Sequence, residues 1–227
     1  MAAEVEIFVL PNVNQGRRLY EVAKRSLDVV VALIALVLLA PVLALCVLAI
    51  RLDSPGPVLF RQQRVGKQGK RFTMIKFRSM YVDAESAVHR AYATAFVRGE
   101  AKPQQGEQGA VFKLAADARV TRVGKWLRQM SLDELPQLWN ALCGDMSLVG
   151  PRPPIPYEVD HYEPNHLGRL AVKPGITGPW QVSGRSATTF EEMVAIDLEY
   201  IQQSSFLLDL RILVMTIPAV LGARGAH

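Results

Sequence analysis

The sequence predicts an α+β fold, mostly helical and attached to a membrane, and three stretches carry that expectation. Residues Val29 to Ile50 form an uncharged apolar run between Asp28 and Arg51. As one straight helix the run would extend roughly 33 Å, enough for the hydrocarbon core of a bilayer. Residues 57–80, PVLFRQQRVGKQGKRFTMIKFRSM, read as two short extended segments around Gly66 and Gly69, a basic β-hairpin. Phe206 to Leu221 is apolar at nearly every position, with only Asp209 and Arg211 charged, and fits an amphipathic helix lying in the membrane interface.

Composition agrees. The 227 residues are 50% hydrophobic, enough to bury a full core, and fit one domain with an appended segment better than two domains. A net charge of +5 and a pI near 9.4 call for an anionic partner, which nucleic acid, anionic lipid or a phosphate-bearing substrate would each satisfy. Cys46 and Cys143 have neither metal-ligand nor redox spacing. The four histidines form no ligand pattern, and His161 and His166 read as surface residues of a polar helix.

Met1 to Gly16 lacks the basic start and cleavage pattern of a signal peptide and reads as an extension. Arg17, Arg18, Lys24 and Arg25 precede the apolar run, and Arg51, Arg61, Arg64, Lys67, Lys70 and Arg71 follow it. Basic residues on both sides favour the cytoplasm for both flanks. Pro41 lies inside the run, where it removes an N–H bond and clashes with the preceding turn, so the helix should kink or break there. Re-entrant and spanning courses both remain open on these grounds.

The hairpin strands are expected at Val58 to Gln62 and Arg71 to Phe77, with Lys76 and Arg78 presenting charge to phosphate or headgroups, or simply to solvent. Asp83 to Arg98 is helix-compatible, Gly99 to Gly109 reads as a polar mobile loop, and Asp117 to Gln129 as a basic helix. Tyr157 to Leu170 reads as an interrupted helix. KPGITGPWQVSGR from Lys173 onward is a loop rich in glycine and proline, able to approach a ligand closely. Thr189 and Glu192 form a capping-box signal for a helix to about Gln203, in which Asp197 and Glu199 are the acids to watch.

Chemistry concentrates in Arg128 to Pro153, RQMSLDELPQLWNALCGDMSLVGPRP. Ser131 and Glu134 match a capping box, which places Asp133 in a first helical turn, where unpaired N–H groups favour a carboxylate and a nearby anion. Arg128 and Arg152 flank the motif, and Gly150, Pro151, Pro153 and Pro154 stiffen the loop that carries Arg152. A guanidinium on a rigid loop makes a bidentate phosphate clamp, and a loop salt bridge is the alternative.

With KRSLD before a proline-broken apolar run, then KFRSM, SLDELPQLWNALCGDMSLVGPRP, KPGITGPWQVSGR and a DLEY helix in that order, the chain resembles the bacterial sugar transferase family, the monotopic phosphoglycosyl transferases, over Leu19 to Leu221. The resemblance implies transfer of a sugar phosphate from a nucleotide diphosphate sugar, a UDP-hexose, to polyprenyl phosphate on the cytoplasmic face of the bacterial inner membrane, starting polysaccharide or glycoconjugate synthesis. It implies a monotopic membrane protein with a re-entrant helix–break–helix, here with Ala40-Pro41 where the family usually has Ser-Pro. The units expected are an extension at 1–18, the re-entrant helix at 19–52, a catalytic domain at 53–222 and a tail at 223–227, with no regulatory domain. Carried over by position, Asp133 is the nucleophile and Glu134 its partner, both candidate ligands for Mg2+. Lys76, Arg78, Arg128, Arg152, Lys173 and Asp197 are substrate-binding candidates. The partners are a nucleotide sugar, polyprenyl phosphate and membrane lipid, with no nucleic acid and a homodimer left open. The rivals are a single-step transfer with Asp133 as metal ligand only, and a membrane-anchored basic binding module without chemistry.

Overall fold

In the computed structural model of the chain, residues 15–82, 86–101, 104–106, 109–111, 119–183 and 188–221 are described. Helix α1 (Gln15–Leu38) meets α2 (Ala40–Asp53) at a 61° bend, and among the described residues no single helix is long and apolar enough to cross a membrane. The break falls at Leu39, two residues ahead of Pro41. Leu39 N–H still closes α1 on the Ala35 carbonyl, and Leu43 N–H opens α2 on the Leu39 carbonyl. Pro41 thus sits in the first turn of α2, where its missing N–H leaves no bond unmade, so the break needs no serine.

The KRSLD residues fasten α1 to the rest of the chain. Arg25 donates to the Ala141 and Leu142 carbonyls at 2.6 and 2.8 Å, at the end of α5 (Gln137–Cys143), where helix carbonyls lack partners. Buried Asp28 accepts from the Ser147 hydroxyl and the Leu148 N–H of β5 (Ser147–Val149), and Lys24 pairs with buried Asp209 at 2.7 Å. A core of Ala32, Leu138, Ala141, Leu148, Val149, Tyr200, Ile201 and Ile212 joins α1 and α5 to α8 (Phe190–Gln203) and α9 (Phe206–Leu221). Val30, Leu33, Ile34, Val37 and Leu38 on α1, Leu45, Leu48 and Leu52 on α2, and Leu207, Val214 and Ile217 on α9 remain exposed. An apolar surface of that extent marks an interaction face.

Strands β1 (Leu59–Val65) and β2 (Arg71–Phe77) form the expected antiparallel hairpin, with β1 three residues longer at its end than predicted. Helix α3 (Ser86–Val97) follows. The predicted 99–109 loop instead leads into a small antiparallel pair, β3 (Gln104–Gly106) and β4 (Gly109–Val111). Thr121 caps α4 (Arg122–Gln129) by accepting from the Gly124 N–H, so the helix starts five residues later than expected. After β5, the interrupted helix expected over Tyr157 to Leu170 is two pieces, α6 (Pro156–Val159) and a 3-10 turn at His166–Ala171.

Over 173–183 the expected loop is more regular, and its remaining residues, Gly184 and Arg185, lie outside the described ones. It holds β6 (Gly175–Thr177), parallel to β5, and α7 (Pro179–Ser183), a long-range pairing that no local pattern announces. His166 is 2% exposed, not a surface residue: the 3-10 turn tucks it edge-on against Phe190, with Nε2 3.0 Å from Glu191. The predicted capping box at Thr189 and Glu192 is present, and α8 runs to Gln203.

Candidate active site

Asp133 stands on a 3-10 turn, Leu132–Glu134, rather than in the first turn of an α-helix. Ser131 has φ 54° and ψ 20°, a left-handed conformation, and its side chain caps nothing, so the predicted Ser131–Glu134 box is absent. Pro136 explains the difference. It has no N–H to carry the turn on by a bond to the Leu132 carbonyl, although Leu135 and Pro136 both keep right-handed helical angles, and α5 begins only at Gln137.

Three elements close around this turn. Lys76, from β2, places Nζ 3.6 Å from the Glu134 carboxylate. Arg128, in the last turn of α4, donates through Nε to Ser79 Oγ at 2.9 Å and lies within electrostatic range of Asp133. Asp133 itself is 8% exposed. Burial pushes its carboxyl up to about 6, the two cations pull it down, and Glu134 adds to the rise. A buried carboxylate that stays ionised near neutral pH beside two cations is a competent nucleophile or metal ligand.

Burial has a thermodynamic consequence. Because the folded carboxyl titrates near 6 and an unfolded one near 3.8, the folded state binds the proton more tightly. Stability is therefore gained below that window and lost as pH rises through it. In metal-free buffer Asp133→Asn should be more stable than the parent above pH 6, by roughly 1–3 kcal/mol, and should lose that advantage below pH 4. Melting curves of both proteins across that range test it, and a pH-independent difference would contradict it.

Arg152 sits on the rigid loop between β5 and α6, partly exposed, and its side chain makes no hydrogen bond or ion pair with the described residues. Its loop is held from below by Arg64, which sequence reasoning passed over as one more basic hairpin residue. Arg64 is 4% exposed, donates to the Pro153 carbonyl and Gln62 Oε1 at 2.8 and 2.7 Å, and lies within range of both Arg152 and Glu134. Burial and the neighbouring Arg152 push its guanidinium down to about 10. Asn140, also overlooked, accepts from the Ile75 N–H and donates to the Thr73 carbonyl, and so locks the free edge of β2, with Lys76 on it, to α5. A polar residue on the buried face of an apolar helix was the available signal.

The other candidates lie elsewhere. Arg78 is 5% exposed, and both its Nη groups are committed to Ser54 and the Pro55 carbonyl, so it staples the end of α2 to β2. Asp197 is fully buried and pairs with Arg169 at 2.7 Å; Arg169 in turn reaches the Arg152 carbonyl, and Asp197 lies within electrostatic range of Arg152 itself. Lys173 lies beyond the far end of α5, beside Arg25. Among the described residues no group of three or more His, Cys, Asp or Glu side chains could hold a metal ion. The adjacent Asp133 and Glu134 carboxylates suit Mg2+, which takes one or two carboxylates and completes its octahedron with water and substrate phosphates.

Buried Asp133, next to the more exposed Glu134 and faced by Lys76 and Arg128, makes this turn a candidate site for chemistry at phosphate. The comparisons name the family. The bacterial sugar transferase model matches residues 19–223, and the chain belongs to that family. It is 43% identical over 206 residues to the galactosyl transferase CpsE of Streptococcus agalactiae, covering 90% of this chain and 43% of the relative. It is 36% identical over 227 residues to the exopolysaccharide production protein ExoY of Sinorhizobium fredii, covering 100% of this chain and 97% of the relative. A UDP-glucose:undecaprenyl-phosphate glucose-1-phosphate transferase of Caulobacter vibrioides is 41% identical over 215 residues, 91% of this chain and 73% of the relative. The chain thus spans less than half of CpsE and nearly all of ExoY.

Proposed function

We propose that this chain transfers a sugar 1-phosphate from a nucleotide diphosphate sugar, a UDP-hexose, to undecaprenyl phosphate, the first step of polysaccharide assembly, at the cytoplasmic face of the bacterial inner membrane. The observation that carries the reading is Asp133, 8% exposed between Lys76 and Arg128 in a chain of this family. An Asp133 oxygen attacks the phosphorus next to the sugar, the bond to the bridging oxygen breaks, and the nucleoside monophosphate leaves. The acyl phosphate so formed is attacked by the acceptor phosphate, which frees the carboxylate and yields the polyprenyl diphosphate sugar. Lys76, Arg128 and Arg152 lower the cost of bringing an anion to a pyrophosphate. Mg2+ held by Asp133 and Glu134 would add charge neutralisation at the phosphate oxygens. Release of nucleoside monophosphate from a panel of UDP-hexoses, only with Mg2+ and polyprenyl phosphate present in full turnover, tests the activity. No release from any donor would favour the binding-module reading.

Arg152→Lys is expected to lower turnover by roughly tenfold or more with the protein still folded, because a point charge cannot reproduce a planar two-pronged contact. Near-normal rates in the lysine variant would remove Arg152 from the site. The 61° bend and the basic flanks support a re-entrant course in the membrane. Cysteines at Arg25 and Arg51 should be labelled from the same side of oriented vesicles, and labelling from opposite sides would mean a span.

A further inference from the structure

A second basic site lies at the opposite end of α5 from the acidic turn. A cavity of about 220 Å³ opens there, lined by Arg17, Lys24, Arg25, Lys67 and Lys173 against the acids Glu21 and Asp28. The α1 residues that line it, at 17, 20, 21, 24, 25 and 28, follow helical spacing and form one stripe. Leu19 and Val22, on the other side of the same turns, are 75% and 66% exposed, and the exposed apolar side chains of α1 resume at Val30. The cavity therefore sits where the helix passes from polar to apolar surroundings.

Its cations are unevenly partnered. Lys24 is paired with Asp209, Lys67 is 3.5 Å from Glu21, and Arg25 is held by two carbonyls. Lys173 has no hydrogen bond or ion pair among the described residues, although it is partly buried. Burial and the neighbouring Arg25 and Lys67 hold its ammonium below its ordinary range. Gly144, at φ 91°, ends α5 without a side chain. A Cβ there would stand 3.3 Å from an Arg25 nitrogen and 3.4 Å from Lys173 Nζ. Two like charges are thus kept side by side at the cavity, with Asp28 and Asp145 in range of Lys173 but bonded to neither of the two cations.

We propose that this cavity binds a lipid-borne phosphate, separately from the Asp133 site. A phosphate would relieve the repulsion among Arg25, Lys67 and Lys173, while an attached chain could follow the exposed apolar side of α1. The inference shares the membrane reading above but not the Asp133 chemistry, since the cavity and the acidic turn lie at opposite ends of α5, about 10 Å long. Two lipids carry the required group, an anionic phospholipid and a polyprenyl phosphate.

The test uses the full chain in detergent, titrated with short-chain phosphatidylglycerol and read by native mass spectrometry. One equivalent should bind, more tightly than short-chain phosphatidylcholine. The Lys67→Gln/Lys173→Gln double variant should weaken binding by roughly tenfold or more, while Arg122→Gln/Lys125→Gln, the same charge change on α4, should stay within about twofold. If the double variant does not fold, Arg17→Gln alone should weaken binding by about threefold or more. Asp133→Asn should bind as the parent does, which separates failure of this site from failure of the transfer chemistry. Competition with farnesyl phosphate names the source: displacement at lower concentration assigns the site to the phosphomonoester, no displacement to the phospholipid, and either result supports the site. Equal weakening in both double variants, or no preference over phosphatidylcholine, overturns it.

Discussion

Asp133→Asn is expected to abolish turnover, by about three orders of magnitude or more, while the protein folds and gains stability at neutral pH. The amide keeps the shape of the side chain and the 3-10 turn that carries it. It removes both the negative charge and the nucleophilic oxygen that Lys76 and Arg128 face. A metal-ligand role would give a similar loss, so the rate alone does not separate two-step from direct transfer. Donor without acceptor does. Labelled nucleotide sugar should release about one nucleoside monophosphate per enzyme and leave the sugar phosphate on Asp133, seen by intact mass and removed by hydroxylamine. A parent enzyme that turns over with acceptor, but shows neither burst nor adduct without it, would establish direct displacement.

Gly124→Ala should disable the site from a distance. Gly124 lies on α4 where the helix crosses the chain after β2, and a Cβ there would stand 2.1 Å from the Ser79 carbonyl oxygen and 2.8 Å from its Cα. These are backbone atoms, which cannot rotate away, so α4 must lift. Lifting it breaks the Arg128–Ser79 contact and withdraws one of the two cations facing Asp133. A loss of about 3 kcal/mol in stability, a melting temperature lower by roughly 10 °C, and at least about tenfold lower turnover are expected. Gly124→Ser should do the same. Normal melting and rate in either variant would show that α4 has slack the packing does not suggest.

Much of the site was legible in the residues. The acid pair and Arg128 stand close in sequence and stay within electrostatic range in the structure, whereas Arg152 comes into range of Arg64 and Asp197. The hairpin and the Thr189 capping box were equally local, set by turn residues and by a side chain reaching three positions along. Ser131 misled because the same four-residue pattern fits a helix start, whereas the chain turns a left-handed corner there and α5 begins only at Gln137.

Sequence alone determined which segments are apolar, where the α1–α2 unit must break to within two residues, and which short stretch holds the candidate carboxylates. Tertiary structure decided what those groups face. Lys76 comes to Glu134 because Asn140 ties β2 to α5, across 67 residues of chain to the Thr73 carbonyl. Arg64 comes under the Arg152 loop across 89 residues to the Pro153 carbonyl. Arg78 and Lys173, equally basic on paper, were divided between a buried staple and a separate cavity. The reason is physical: charge and hydropathy are properties of a residue, but burial and partners belong to the packing of elements far apart in the chain, and a pattern of short period carries no information about them.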